Sequence, residues 1–145
     1  MYKHILIATD GSERSARAII QGIALAALVK ARVTALTVIP PIPPIVLEGL
    51  AAPVDNEELE QNAKDYAARA LAVATEAAAA AGIRCETACF KHDQPWRAIV
   101  DLAEQNGCDL IVMASHGRSG VSAVVLGSET NKVLTRSKLP VLVCR

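Results

Sequence analysis

The chain has 145 residues, with 15 Lys and Arg balanced by 15 Asp and Glu, so its formal net charge is zero. That length suits one domain, 1–145, whose core forms without disulfides or metals. The basic residues are dispersed, which excludes nucleic acid as the main partner, because a phosphate backbone demands a clustered cationic face.

Hydrophobic residues make up 52% of the chain but aromatic ones only 3%, so the core is expected to be aliphatic. Cys85, Cys89, Cys108 and Cys144 form no CxxC pair, and buried, reduced thiols are the expected state. The opening "MYKHILIATDG" lacks a signal-peptide pattern, and no apolar run approaches the ~20 residues of a membrane span. A cytoplasmic protein with no membrane partner is therefore expected.

In chain order, "HILIAT" (4–9) is a short apolar run closed by "DGS", which predicts a buried strand and a turn. The next segment predicts a helix capped by Ser12, with Ala16, Ile19, Ile20, Ile23, Ala27 and Leu28 on its inward face. "RVTALTVI" (32–39) is the second strand. Residues 40–55 form a proline-rich loop, with five prolines among positions 40–53; its bland reading is a stiff extended connection, and loops of this length also serve as binding loops.

The longest helix is predicted over 57–81, with Leu59, Ala63, Tyr66, Ala70, Val73 and Ala77 inward and Gly82 as its C-cap. "IRCETACFK" (83–91) is the third strand. A third helix follows, with Asp93 as cap, Pro95 in its first turn, Gly107 at its end, and Trp96, Ile99, Val100 and Ala103 inward. "DLIVMA" (109–114) is the fourth strand, "SETNKVLTRS" (128–137) a short helix, and "PVLVCR" (140–145) the fifth strand. Strands alternating with helices predict an α/β fold: a single three-layer domain with a five-stranded parallel sheet and helices on both faces.

In such a sheet ligands bind beyond the carboxyl ends of the strands, where chain winding reverses. Those ends include "ATDGS" and the stretch "ASHGRSGVSAVVLGSET" (114–130). Gly117, Gly120 and Gly127 permit unusual backbone angles and close approach of a ligand. Gly127-Ser128 opens the last helix, whose first N–H groups lack partners and favour an anion. Ser128 is placed to cap that helix or donate to a phosphate, and Arg118 supplies a positive charge. The residues alone leave two readings open: an anion-binding loop, or an ordinary strand-to-helix connection.

Asp10 is placed either to form the turn or to accept hydrogen bonds from a ribose hydroxyl. No P-loop lysine, dinucleotide GxGxxG, nucleophile elbow or HExxH occurs. Ser115 and His116 are adjacent, and residues adjacent in a strand point apart, so a hydrolytic pair is not expected.

Together, "ILIATDGS", "TVIP", "DLIVMASHGRSG…LGS" and "LPVLVCR" resemble the universal stress protein family over essentially the full length. The family motif G-x-x-G, nine residues, then G-S or G-T falls on Ala114 to Gly117 and Gly127-Ser128. The resemblance implies a fold like that of the adenine nucleotide alpha hydrolases, of Rossmann type, and a homodimer through the last strand, Pro140 to Arg145. It also implies an ATP-binding stress-response or signalling module with at most slow ATP hydrolysis. Any Mg2+ would be held by the phosphates.

By position, the resemblance puts adenine and ribose at Ala8, Thr9, Asp10 and Val38 with Met113 nearby. It puts the phosphates over Gly117, Gly127, Ser128 and the amides of Glu129 and Thr130. Ala114 departs from the motif's first glycine. At a strand end that methyl is expected to weaken ATP binding at most. The alternative is a protein of the same fold that binds no nucleotide and acts through its dimer surface and proline-rich loop.

Overall fold

Successive side chains of a β-strand point to opposite faces, so a strand apolar at every position needs cover on both sides. The computed structural model, which describes residues 1–41, 56–117 and 126–145, supplies that cover. Most of the proline-rich loop, together with Arg118 and Gly120, lies outside the described residues. The elements alternate as β1 (His4–Ala8), α1 (Glu13–Val29), β2 (Arg32–Ile39), α2 (Asn56–Ala80), β3 (Cys85–Lys91), α3 (Pro95–Gln105), β4 (Leu110–Ala114), α4 (Ser128–Arg136) and β5 (Val141–Cys144). All pairings are parallel, and the strand order is β3-β2-β1-β4-β5.

Alternation sorts the core into two layers. Ile5, Ile7, Val33, Ala35, Val112 and Ala114 meet Ala18, Ile19 and Ile23 of α1 and Leu71, Ala74 and Ala78 of α2. Leu6, Ala8, Leu36, Ile111 and Met113 meet Ile99, Val100, Leu102 and Ala103 of α3 and Val133 of α4. The chain therefore winds one way from β1 through β3 and the other way from β4 to β5. The reversal lies between the carboxyl ends of β1 and β4.

The helix ends follow the expected chemistry in part. Ser12 caps α1, accepting the Ser15 N–H at 3.2 Å. Beyond α2, Gly82 takes φ +66°, and the Ile83 and Gly82 N–H groups return to Ala78 and Ala79 carbonyls at 2.9 and 3.1 Å, closing a Schellman turn. The inward face of α1 differs from expectation. Its buried residues are Ser15, Ala18, Ile19, Gly22, Ile23 and Ala26, whereas Ile20 is 61% and Leu28 82% exposed, and Ala27 is exposed too. The helix turns its small residues to the sheet so that its axis can come close: a Cβ added at Gly22 would stand 2.7 Å from Ile7 Cδ1. Val73 of α2 is likewise partly exposed.

Cys89 corrects the expectation of buried thiols. It is exposed, and Cys85 is only half-buried, because both lie on β3, an edge strand paired only with β2, while Cys108 and Cys144 are buried. Burial pushes the Cys108 thiol up to about 11.

At the amino ends of the strands, Asp109 accepts the Lys3 and His4 N–H groups at 2.8 and 3.1 Å. His4 Nε2 lies 2.8 Å from Thr34 Oγ1 and Nδ1 lies 3.2 Å from the Asn106 carbonyl. Burial lowers the His4 pKa, which favours the neutral ring with Nδ1–H donating to that carbonyl. β1, β2 and the α3–β4 connection are thus fastened at the end of the sheet opposite the winding reversal. Among the described residues, no helix is long and apolar enough to cross a membrane.

Candidate functional site

On one side of the reversal, the turn after β1 is built by its own polar side chains. Thr9 Oγ1 accepts the Gly11 N–H at 3.2 Å and lies 2.9 Å from Ser15 Oγ, and Asp10 Oδ1 accepts the Ser12 N–H at 3.0 Å. Tyr66, from α2, donates its hydroxyl to the Asp10 carbonyl at 2.9 Å. Its ring lies against Gly11, where a Cβ would stand 2.6–2.8 Å from it, and Gly11 has φ +77°. Glycine is required there for both conformation and space. Sequence reasoning put Tyr66 on the inward face of α2 but missed this contact. The only signal was a lone hydroxyl-bearing aromatic in an alanine-rich helix.

On the other side, α4 begins against the end of β4. The Gly127 N–H donates to the Ser115 carbonyl at 2.8 Å, and Thr130 Oγ1 donates to the Ala114 carbonyl at 2.9 Å. Gly127 has φ −56°, an angle open to any residue, so its role is space rather than conformational freedom. A Cβ there would stand 3.2 Å from the Ser115 carbonyl oxygen and 3.3 Å from His116 Cα.

The two sides meet. A Cβ at Gly117 would stand 2.5 Å from Asp10 Oδ2, so the carboxylate of the first turn lies directly on the backbone of the second. Asp10 is thereby brought to Gly117, while Gly127 and Thr130 are bonded to the end of β4 with Ser128 and Glu129 between them in the first turn of α4. Ala8 and Met113 are buried in the layer against α3 and α4, with Val38 at its margin. Ala114 ends β4 beside Cys144, its side chain in the opposite layer with Ile5 and Ile7. Arg118 lies outside the described residues.

Three local expectations are corrected. Gly127, not Ser128, is the N-cap of α4, and it has no side chain with which to cap the first turn. Gln94, not Asp93, is the N-cap of α3, without a side-chain bond; the Trp96 N–H instead donates to Glu129 Oε2 of α4 at 2.8 Å. Ser115 and His116 do not point apart: Ser115 Oγ lies 3.1 Å from His116 Nδ1, because β4 ends at Ala114 and strand alternation ends with it.

Chemically, the arrangement pairs two complementary ends. The first-turn N–H groups of α4 have no acceptors within the helix and suit an anion. Across from them, a carboxylate suits a donor such as a sugar hydroxyl. Behind the β1 turn, a cleft of about 270 Å³ opens between α1 and α2, lined by Thr9, Ser12, Ala16, Tyr66, Arg69 and Val73 among others.

A model of the universal stress protein family matches residues 1–145. The chain belongs to this family. A universal stress protein of Thermus aquaticus is 34% identical over 145 residues, covering all of both chains. Among solved structures, a protein described as hypothetical superposes with TM-score 0.82 at 30% identity, over 99% of this chain and 96% of that one. A universal stress protein in complex with cAMP superposes with TM-score 0.71 at 29% identity, over 99% of this chain and 97% of that one. The universal stress protein fold and the five-stranded parallel sheet therefore agree with the sequence-based expectation.

Proposed function

We propose that this universal stress protein is a cytoplasmic, single-domain module over 1–145 that binds an adenine nucleotide, ATP in the first instance, and signals its bound state to a partner. The observation that carries the reading is the contact of the Asp10 carboxylate with Gly117 at the winding reversal, beside the uncapped start of α4. Asp10 takes the ribose. Ala8, Thr9, Val38 and Met113 border the base. Gly117, Arg118, Gly127, Ser128 and the amides of Glu129 and Thr130 hold the phosphates, which carry any Mg2+.

A universal stress protein 29% identical to this chain, solved in complex with cAMP, supports the nucleotide reading. The core placement of Ala114 supports only a small effect of its methyl, since that residue is buried in the layer that packs against α1 and α2. The role is binding rather than turnover, with hydrolysis slow at most. Denaturing the purified protein is expected to release an adenine nucleotide, and calorimetry on the stripped protein to show ATP binding. The absence of both released nucleotide and measurable ATP binding would overturn the reading.

The second element of the proposal is a homodimer through β5. Among the described residues its outer edge has no neighbouring strand, and Leu142 is 39% exposed. Pairing with its own copy would cover the free backbone groups. Val143→Glu is expected to convert a dimer into a monomer by light scattering. A wild-type monomer at working concentration would contradict this.

A further inference from the structure

The start of α3 lacks a cap of its own. Pro95 has no N–H, and the Arg97 and Ala98 N–H groups both return to the Gln94 carbonyl, at 3.0 and 3.3 Å. That leaves the Trp96 N–H, which Glu129 Oε2 accepts at 2.8 Å from the first turn of α4. The other end of α4 meets the same residue. Arg136 lies over the Trp96 ring, 4.9 Å from its centroid. Glu129 and Arg136 are about two helical turns apart and share one face of α4. One residue of α3 therefore grips α4 at its first and last turns, by backbone and by ring.

Glu129 also poses an electrostatic problem. A carboxylate on the second residue of α4 would repel phosphates bound at the start of that helix. Here both of its oxygens are engaged, Oε2 by the Trp96 N–H and Oε1 by Lys132 Nζ at 2.8 Å. The same bond that caps α3 holds this charge in a fixed place. Gly127 and Thr130, which flank it, are bonded to the end of β4, so α4 is seated between β4 and α3.

We propose that Trp96 is a positioning residue for the phosphate end of the site: through the Glu129 side chain it clamps α4, and its ring reports phosphate occupancy. This rests on the nucleotide reading above. The inference extends it by predicting that the phosphates and the base respond differently when the clamp is removed.

The test uses ATP and adenosine as probes, with calorimetric affinity and the emission of Trp96, the single tryptophan. Glu129→Ala is expected to weaken ATP binding about five- to tenfold, within the range for losing one intramolecular hydrogen bond. Adenosine, which has no phosphate, binds this variant as it binds the wild type. Glu129→Gln keeps a carbonyl acceptor for the Trp96 N–H and retains affinity for ATP within about twofold. In the wild type ATP shifts Trp96 emission and adenosine does not; Glu129→Ala loses the ATP response.

Unchanged or tighter ATP binding by Glu129→Ala would overturn the clamp, as would equal losses for ATP and adenosine or a Gln variant as weak as Ala. Thermal unfolding without ligand verifies that each variant is folded. A wild type that binds ATP while Glu129→Ala is unaffected sinks the clamp alone. A wild type that binds neither probe removes the nucleotide reading and the clamp with it.

Discussion

Replacing Gly127 with valine is expected to weaken ATP binding roughly a hundredfold, equivalent to about 2–3 kcal/mol. The backbone angles at Gly127 suit any residue, so the cost is steric. The first added carbon would stand 3.2 Å from the Ser115 carbonyl oxygen and 3.3 Å from His116 Cα. Both are main-chain atoms at the end of β4, which cannot rotate away as a side-chain tip can. Valine adds two methyls to that contact, so either α4 or the Ser115–His116 backbone must shift. Each shift moves the first-turn amides relative to Asp10, and overpacking of this kind costs about 1–3 kcal/mol. Gly127→Ala is expected to show a smaller loss in the same direction. Calorimetry on both variants, with circular dichroism to verify folding, checks the order; wild-type affinity in Gly127→Val would remove the phosphates from the start of α4.

The second large effect concerns the seat of α1 on the sheet. Ile7→Ala is expected to cost about 3 kcal/mol, as for a fully buried isoleucine, and to lower the melting temperature by roughly 6–12 °C. The variant also opens space at one defined point, because Ile7 Cδ1 and Cγ1 are the nearest atoms to a Cβ at Gly22, at 2.7 and 3.1 Å. In the wild type Gly22→Ala drives a methyl into Ile7 and destabilises. In the Ile7→Ala background the same methyl enters the vacated space, and the helix gains about 1 kcal/mol from exchanging glycine for alanine. The two substitutions should therefore couple by about 2 kcal/mol, measurable by urea denaturation of the four proteins. Additive effects would show that α1 does not rest on Ile7 at Gly22.

The strand sequence, the parallel sheet and the position of the winding reversal were legible because β1, β2 and β4 are short apolar runs closed by turn residues. The rotation of α1 was not. Hydrophobicity favoured Ile20 and Leu28, whereas the buried arc contains Ser15, Gly22 and Ala26, whose value lies in letting the helix approach. Small residues carry little hydrophobic signal, and Ser15 looks like surface until Thr9 is found beside its hydroxyl.

At the site, the approach of Asp10 to Gly117 was foreshadowed by their places after β1 and β4. The partnership of Tyr66 with Asp10 and of Glu129 with Trp96 was not, since each joins segments far apart in the chain. One local hint existed: "DQPW" leaves the Trp96 amide in search of an acceptor, and only the folded packing of α3 on α4 says which carboxylate answers it.

The contact of Asp10 with Gly117 also bears on how the molecule matures. The two residues come from the opening turn and from the loop after the fourth strand, and the pairing of β1 with β4 lays one upon the other. Neither half of the chain alone could hold a ligand there, so a growing or clipped polypeptide would be blind to it. A molecule captured at the reversal would bind the finished form selectively and raise the free energy of unfolding by mass action. Occupancy would then govern how long each copy survives proteolysis, making abundance itself a readout of the captured molecule's concentration.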